Sequence, residues 1–251
     1  MKDMDQRDGR ALRGVAFAAA LVVALSVTAA GWFVGRGVEQ TRSYDRFVTV
    51  KGLAERAVVA DRAVWPISFV STDDSLQVAQ EMVERDTRAV RAFLAEHGLS
   101  GDAVEVQNLV VTDQLAQAYR SGPVDSRYII EQTLLVRTED VAAVREATQD
   151  IGVLLAEGVV LGGQGYRPGP SFMFTGLNDI KPEMIAEATA AARASADQFA
   201  ADSGSVLGSI RRANQGVFQI LAADGAVNMD ESSQINKMVR AVVTLEYFLE
   251  E

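Results

Sequence analysis

The residues best suited to specific contact lie in one short run, Arg211-Arg212-Ala213-Asn214-Gln215-Gly216. Guanidinium groups and amides suit a polar, hydrogen-bonded interface. We expect Arg211, Arg212, Asn214 and Gln215 at a subunit or partner contact. A solvated, bulged strand, or amides that satisfy nearby backbone groups, also explains these residues. Tyr166, in a glycine-rich loop, is the side chain placed to touch a small ligand. His97 is the only histidine, and it falls at the expected end of a helix, where the dipole explains it. No Ser-His-Asp assignment is credible around it. Carboxylates are plentiful, but no spacing selects an acid–base pair, and Asp73-Asp74 reads as helix capping.

The chain has no cysteine. Disulfides, thiolate metal sites and cysteine nucleophiles are excluded. No metal-ligating cluster and no haem or flavin signature is apparent, so neither metal nor cofactor is expected. Gly163-Gln164-Gly165 invites comparison with phosphate-cradling loops. It lacks the Lys-Ser/Thr of a P-loop, and Gly163, Gly165 and Gly169 do not match GxGxxG, so it reads as a turn.

Charge argues against nucleic acid as a partner. The chain has 24 Lys+Arg against 34 Asp+Glu. Residues 1–43 hold six basic and four acidic residues, so the excess acid lies beyond them. Such a body repels phosphate backbones.

The N-terminus reads as an export element. Residues 15–34 form a run of 20 without a charge, long enough for a helix to cross a bilayer core of roughly 30 Å. Lys2, Arg7, Arg10 and Arg13 precede it, which favours a cytoplasmic N-terminus and an external body. The expected organisation is a cytoplasmic tail (1–14), a transmembrane anchor (15–34), a linker (35–43) and one domain (44–251). A cleaved signal is the alternative, with small residues at Val27-Thr28-Ala29 and Thr28-Ala29-Ala30.

The body alternates strands and helices. Strands are expected at 46–53, 61–71, 103–112, 127–137, 171–175 and 206–221, and at the C-terminus, and residues 159–169 are expected to be a strand followed by a glycine-rich loop. Trp65, Ile67 and Phe69 share a strand face, and Pro66 places that strand at an edge or bulge. The strands at 103–112 and 127–137 form a hairpin with a long loop around Gly122-Pro123. A first helix, capped from Ser71-Thr72-Asp73-Asp74, runs to His97, with Leu76, Ala79, Val83, Val90, Phe93 and Leu94 as its stripe. A second begins at Thr138 and ends before Gly158, burying Val141, Val144, Ile151, Leu154 and Leu155. A third, capped by Asp179, has Pro182 in its first turn and packs Ile185, Ala188, Ala192, Ala196 and Phe199. A phase change near Gly216 predicts a bulge there. Val239, Ala241, Val243, Leu245, Tyr247 and Leu249 alternate cleanly, so the last strand pairs within a sheet. Repeated ββα units predict an α+β two-layer sandwich: mostly antiparallel sheet, helices on one face.

Several segments together carry a resemblance. IKPEMIAEATAAARASADQFAADSG followed by LGSIRRANQGVFQI, the early VTVKGLAE and the late KMVRAVVTLEYFL resemble the SIMPL-domain family of bacterial exported proteins. The resemblance spans roughly Asp45 to Glu250. It implies an α+β fold and a periplasmic or envelope location. Some members form ring-shaped homo-oligomers, and some are linked to oxidative-stress resistance. No catalytic residues are established for the family, so none carry over. The expectation is a membrane-anchored periplasmic protein that is not an enzyme, a homo-oligomeric scaffold or interaction protein with an unknown protein partner. The alternatives are a binding module for a small ligand or envelope polymer, to which Trp65, Phe172, Phe174 and Tyr166 could lend aromatic contacts, or an envelope hydrolase.

Overall fold

Alternation along one strand organises the larger part of the core. In β2 (Arg62–Asp73), Ala63, Trp65, Ile67 and Phe69 are all buried, as a period of two requires when one face meets helices. Burying a side chain of this size stabilises by about 1.5–3 kcal/mol. The structure is a computed structural model describing residues 25–33, 46–116, 124–163, 169–224 and 230–250. The elements are β1 (Phe47–Val59), β2, α1 (Leu76–Glu96), β3 (Val104–Asp113), β4 (Tyr128–Thr138), α2 (Val141–Gln149), α3 (Gly152–Ala156), β5 (Ser171–Met173), α4 (Leu177–Asp202), β6 (Val206–Gln215), β7 (Gln219–Ala222) and β8 (Asn236–Glu250). The protein is α+β, with two four-stranded antiparallel sheets. One has the order β1-β8-β6, with β7 also on β8; the other has the order β3-β4-β2-β5.

Contacts divide the chain into two units. The larger comprises Ala54–Glu187 and Val217–Val242. Here β2 and β4 pair from Ala63↔Thr138 to Asp73↔Tyr128. Their core face meets Val83, Val90, Phe93 and Leu94 of α1, Val144 and Ala147 of α2, and Leu154 of α3. One charge sits inside this layer: Asp86, 2 % exposed, accepts from Ser71 Oγ at 3.0 Å and from Arg85 Nη2 at 2.7 Å. Lys237 is fully buried, donating to the Glu231 carboxylate and, at 2.8 Å, to the Glu231 carbonyl oxygen.

The smaller unit comprises residues up to Leu53, Ala188–Gly216 and Val243–Glu251. Its helical face is lined by alanine, with Ala188, Ala192, Ala196 and Ala200 buried. Small side chains let α4 approach β1 at Gly52, where an added Cβ would overlap the Ala188 carbonyl oxygen and lie 2.6 Å from the Ala192 nitrogen. On β8, Val243, Leu245 and Tyr247 are buried, and β6 pairs with this half.

Several local expectations are corrected. Pro66 lies on an interior strand. Among the described residues β5 pairs only with Arg62–Val64 and the next contact on that side is the Phe69↔Leu161 bridge, so no described strand asks Pro66 for an N–H. Among the described residues the strand expected from Val159 makes that one bridge, with backbone bonds from Val70 N to Val160 O, from Gly162 N to Ser68 O and from Val159 N to Leu154 O. The second helix breaks between Gln149 and Gly152, so Leu154 is buried while Leu155 is 58 % exposed. Its side-chain cap is Asp140, which accepts from Ala143 N; Thr138 instead accepts from Asp140 N. On α4 the buried stripe runs through Met184 and Ala200, and Phe199 is 60 % exposed. Residues 206–221 form two strands. Register shifts fall at Leu207/Ile210 and Ile210/Arg212, before Gly216. The expected tail, the linker and most of the expected anchor lie outside the described residues. Residues 25–33 are helical with exposed side chains, and no helix among the described residues is long and apolar enough to cross a membrane.

Candidate functional site

The site is built on β3, an edge strand. Val104 pairs with Val136 and Val106 with Leu134. A bulge follows, and then Leu109 pairs with Gln132 and Val111 with Ile130. Opposed residues in an antiparallel pair point to the same face. Ile130, Leu134 and Val136 face the helices, so Val106, Leu109 and Val111 do too. The bulge shifts the strand by one residue and keeps all three on that face. Yet they stay 52 %, 55 % and 51 % exposed. Among the described residues the helix layer stops short of β3, leaving an apolar stripe uncovered.

Beside the stripe runs a groove of about 540 Å3, whose α1 wall is Leu76, Gln80, Val83 and Glu84. Those positions share one helix face by their spacing of three and four. Aspartate fixes where α1 begins: Asp73 Oδ1 accepts from Ser75 N at 2.8 Å, while the N-cap Ser75 makes no side-chain cap. Leu76, expected in the core, is 44 % exposed on the rim. Gln132 lines the groove, is 8 % exposed, and has no side-chain hydrogen bond among the described residues. Glu84 accepts from Gln80 at 3.2 Å. An apolar groove with an unanswered amide suits an apolar group that brings one hydrogen-bonding partner.

The residues singled out for contact chemistry lie elsewhere. Arg211, Arg212, Asn214 and Gln215 sit exposed on β6, an edge of the other sheet. Arg211 reaches Glu246 at 3.4 Å and lies 4.1 Å from the centre of the Phe47 ring. Arg212, Asn214 and Gln215 are in register with Glu246, Thr244 and Val243. Tyr166 lies outside the described residues. Trp65 and Phe172 are buried in the core.

His97 bridges two helices. Nδ1 meets the Phe93 carbonyl oxygen at 3.0 Å and Nε2 meets Asp150 Oδ2 at 3.1 Å. The Phe93 carbonyl and then Asp150 raise its pKa above the usual imidazole value, against the opposing effect of partial burial. Asp61 is a second anchoring group. It accepts from Thr175 N at 2.8 Å, Thr175 Oγ1 at 3.0 Å and Gly176 N at 3.0 Å. Partial burial pushes its pKa up, but these donors outweigh it and leave the carboxyl below its usual value. The donors immediately before α4 are thus met from the β1–β2 turn, where the sequence pointed to Asp179.

Edge strands differ sharply in how they are guarded. β1 carries Lys51, Glu55 and Arg56, β6 carries Arg211 and Arg212 with two register shifts, β5 has three residues and β7 four. Charge, irregularity and shortness all discourage pairing with another chain. β3 has no charge from Val106 to Thr112.

This geometry defines an α+β domain of two antiparallel sheets with an open apolar edge, a form suited to contact with another polypeptide. The SIMPL family model, described as a protein of unknown function (DUF541), matches residues 48–247. The chain belongs to the SIMPL family. No curated protein matches it.

Proposed function

We propose that this chain is a self-assembling interaction protein of the cell envelope, without catalytic activity, whose working surface is the open edge at β3. The observation that carries this is the stripe Val106, Leu109 and Val111, half exposed on a strand without charge between Glu105 and Asp113. Exposed, uncharged edges template pairing. In this reading residues 15–34 anchor the chain in the inner membrane, with the N-terminus cytoplasmic and the body periplasmic; a cleaved signal would leave a soluble periplasmic protein. Any role in oxidative-stress resistance would follow from assembly. Light scattering of the full chain in mild detergent tests the reading, with a mass above one copy expected. A single-copy mass at every concentration overturns it. Intact mass from the membrane fraction separates anchor from cleaved signal.

Two observations favour further contacts. The unanswered amide of Gln132 in an apolar groove supports a binding module, with Tyr166 as a further ligand contact. The exposed polar run Arg211, Arg212, Asn214 and Gln215 supports a second contact surface on β6.

A further inference from the structure

We propose that the partner at β3 is β3 of a second copy, added antiparallel about a two-fold axis through Val110. This rests on the assembly reading above and specifies its interface. A two-fold pairing is self-complementary, so the strand's own sequence decides the register. Three constraints select one. Opposed residues must share a face, which restricts the axis to pass through a residue. The bulge between Val106 and Asn108 confines regular pairing to Asn108 onward. Finally, a charge must oppose neither a like charge nor an apolar residue.

An axis at Leu109 sets Glu105 against Asp113 and, across the bulge, Val106 against Thr112 from the other face. An axis at Val111 sets Asp113 against Leu109. An axis at Val110 opposes Val110 to itself, Leu109 to Val111 and Asn108 to Thr112, with no charge in the paired segment. The Leu109–Val111 pairs then lie on the helix-side face. There the second copy supplies a further wall of each groove beside Leu109 and Val111, and the edge of β3 that no described strand pairs is closed.

The chain's lack of cysteine makes the register testable in the full-length protein. Val110→Cys should give a covalent dimer on mild oxidation or with a short bis-maleimide, because paired Cα atoms at such an axis lie within disulfide reach. Ala142→Cys, exposed on α2, should not, and Gln215→Cys reads the β6 surface separately. Asn108→Asp with Thr112→Asp places Asp against Asp twice across the interface. Within one copy those positions oppose the uncharged Thr133 and Ile129, so circular dichroism should be unchanged while the mass falls about twofold or more. Asn108→Asp with Thr112→Lys should restore the mass by making each opposed pair complementary. If the double Asp variant misfolds, the Val110→Cys cross-link and the Asp/Lys pair decide. An oligomer that links through Gln215→Cys and ignores the charge variants overturns this interface but leaves assembly standing. A wild-type monomer overturns both.

Discussion

Gly52 and Ala188 approach so closely that a methyl group on Gly52 would lie 1.8 Å from the Ala188 carbonyl oxygen. Backbone cannot yield as the tip of a flexible side chain can. Gly52→Ala should therefore lower unfolding free energy by at least the roughly 1–3 kcal/mol of overpacking. Gly152→Ala, with nothing near its added Cβ, should be close to neutral. Denaturant titration of both variants checks this, and equal losses would sink the close-packing argument.

The His97–Asp150 contact should make stability depend on pH. His97 has a raised folded-state pKa. Its contribution is then fully present below the unfolded value near 6.5 and is lost as pH rises through the higher folded value. Asp150→Asn should bring the imidazole titration back toward 6.5 and flatten that part of the profile. Histidine NMR titration reads the single ring directly, and an unchanged midpoint in the variant would contradict the assignment.

Asp61 acts with the opposite sign. Its lowered pKa means that its contribution is present above the ordinary carboxyl value of 3.8 and is lost as pH falls through the folded value. Asp61→Ala leaves the Thr175 and Gly176 donors without their carboxylate and should cost about 0.5–2 kcal/mol at neutral pH. The variant should also show a shallower acid limb in melting temperature against pH. A neutral substitution would show that solvent satisfies those donors just as well.

Gln132 separates stability from function. Its side chain lines the open apolar groove, where water can reach the amide, and a leucine there would bury more apolar surface, at about 0.8 kcal/mol per buried CH2. Gln132→Leu should raise the melting temperature by calorimetry. A fall would mean that the amide already has a structural partner. A rise would mark Gln132 as retained for contact at the cost of stability.

Much of the framework was legible in the residues alone. Trp65, Ile67 and Phe69, and later Val239 through Tyr247, alternate with a period of two, and each set turned out to be buried along one face. The ends of α1 and α4 were marked by Gly98 and Gly204, both at positive φ. Such signals are local, set by backbone sterics and by the need to bury one face of a strand. The open edge was hidden for a physical reason. Val104, Val106, Leu109 and Val111 lack a regular period, and only the bulge against β4 brings them to one face. Asp61 bonds Thr175 across 114 positions, a pairing that no local pattern carries. Which strands end at an open edge is likewise a property of the assembled sheet. The sequence by itself determined the family, most of the elements and the periodic core. Tertiary structure decided that Arg211–Gln215 lies on a guarded edge and that the apolar stripe of β3 is left uncovered, because exposure depends on which neighbours the folded chain supplies.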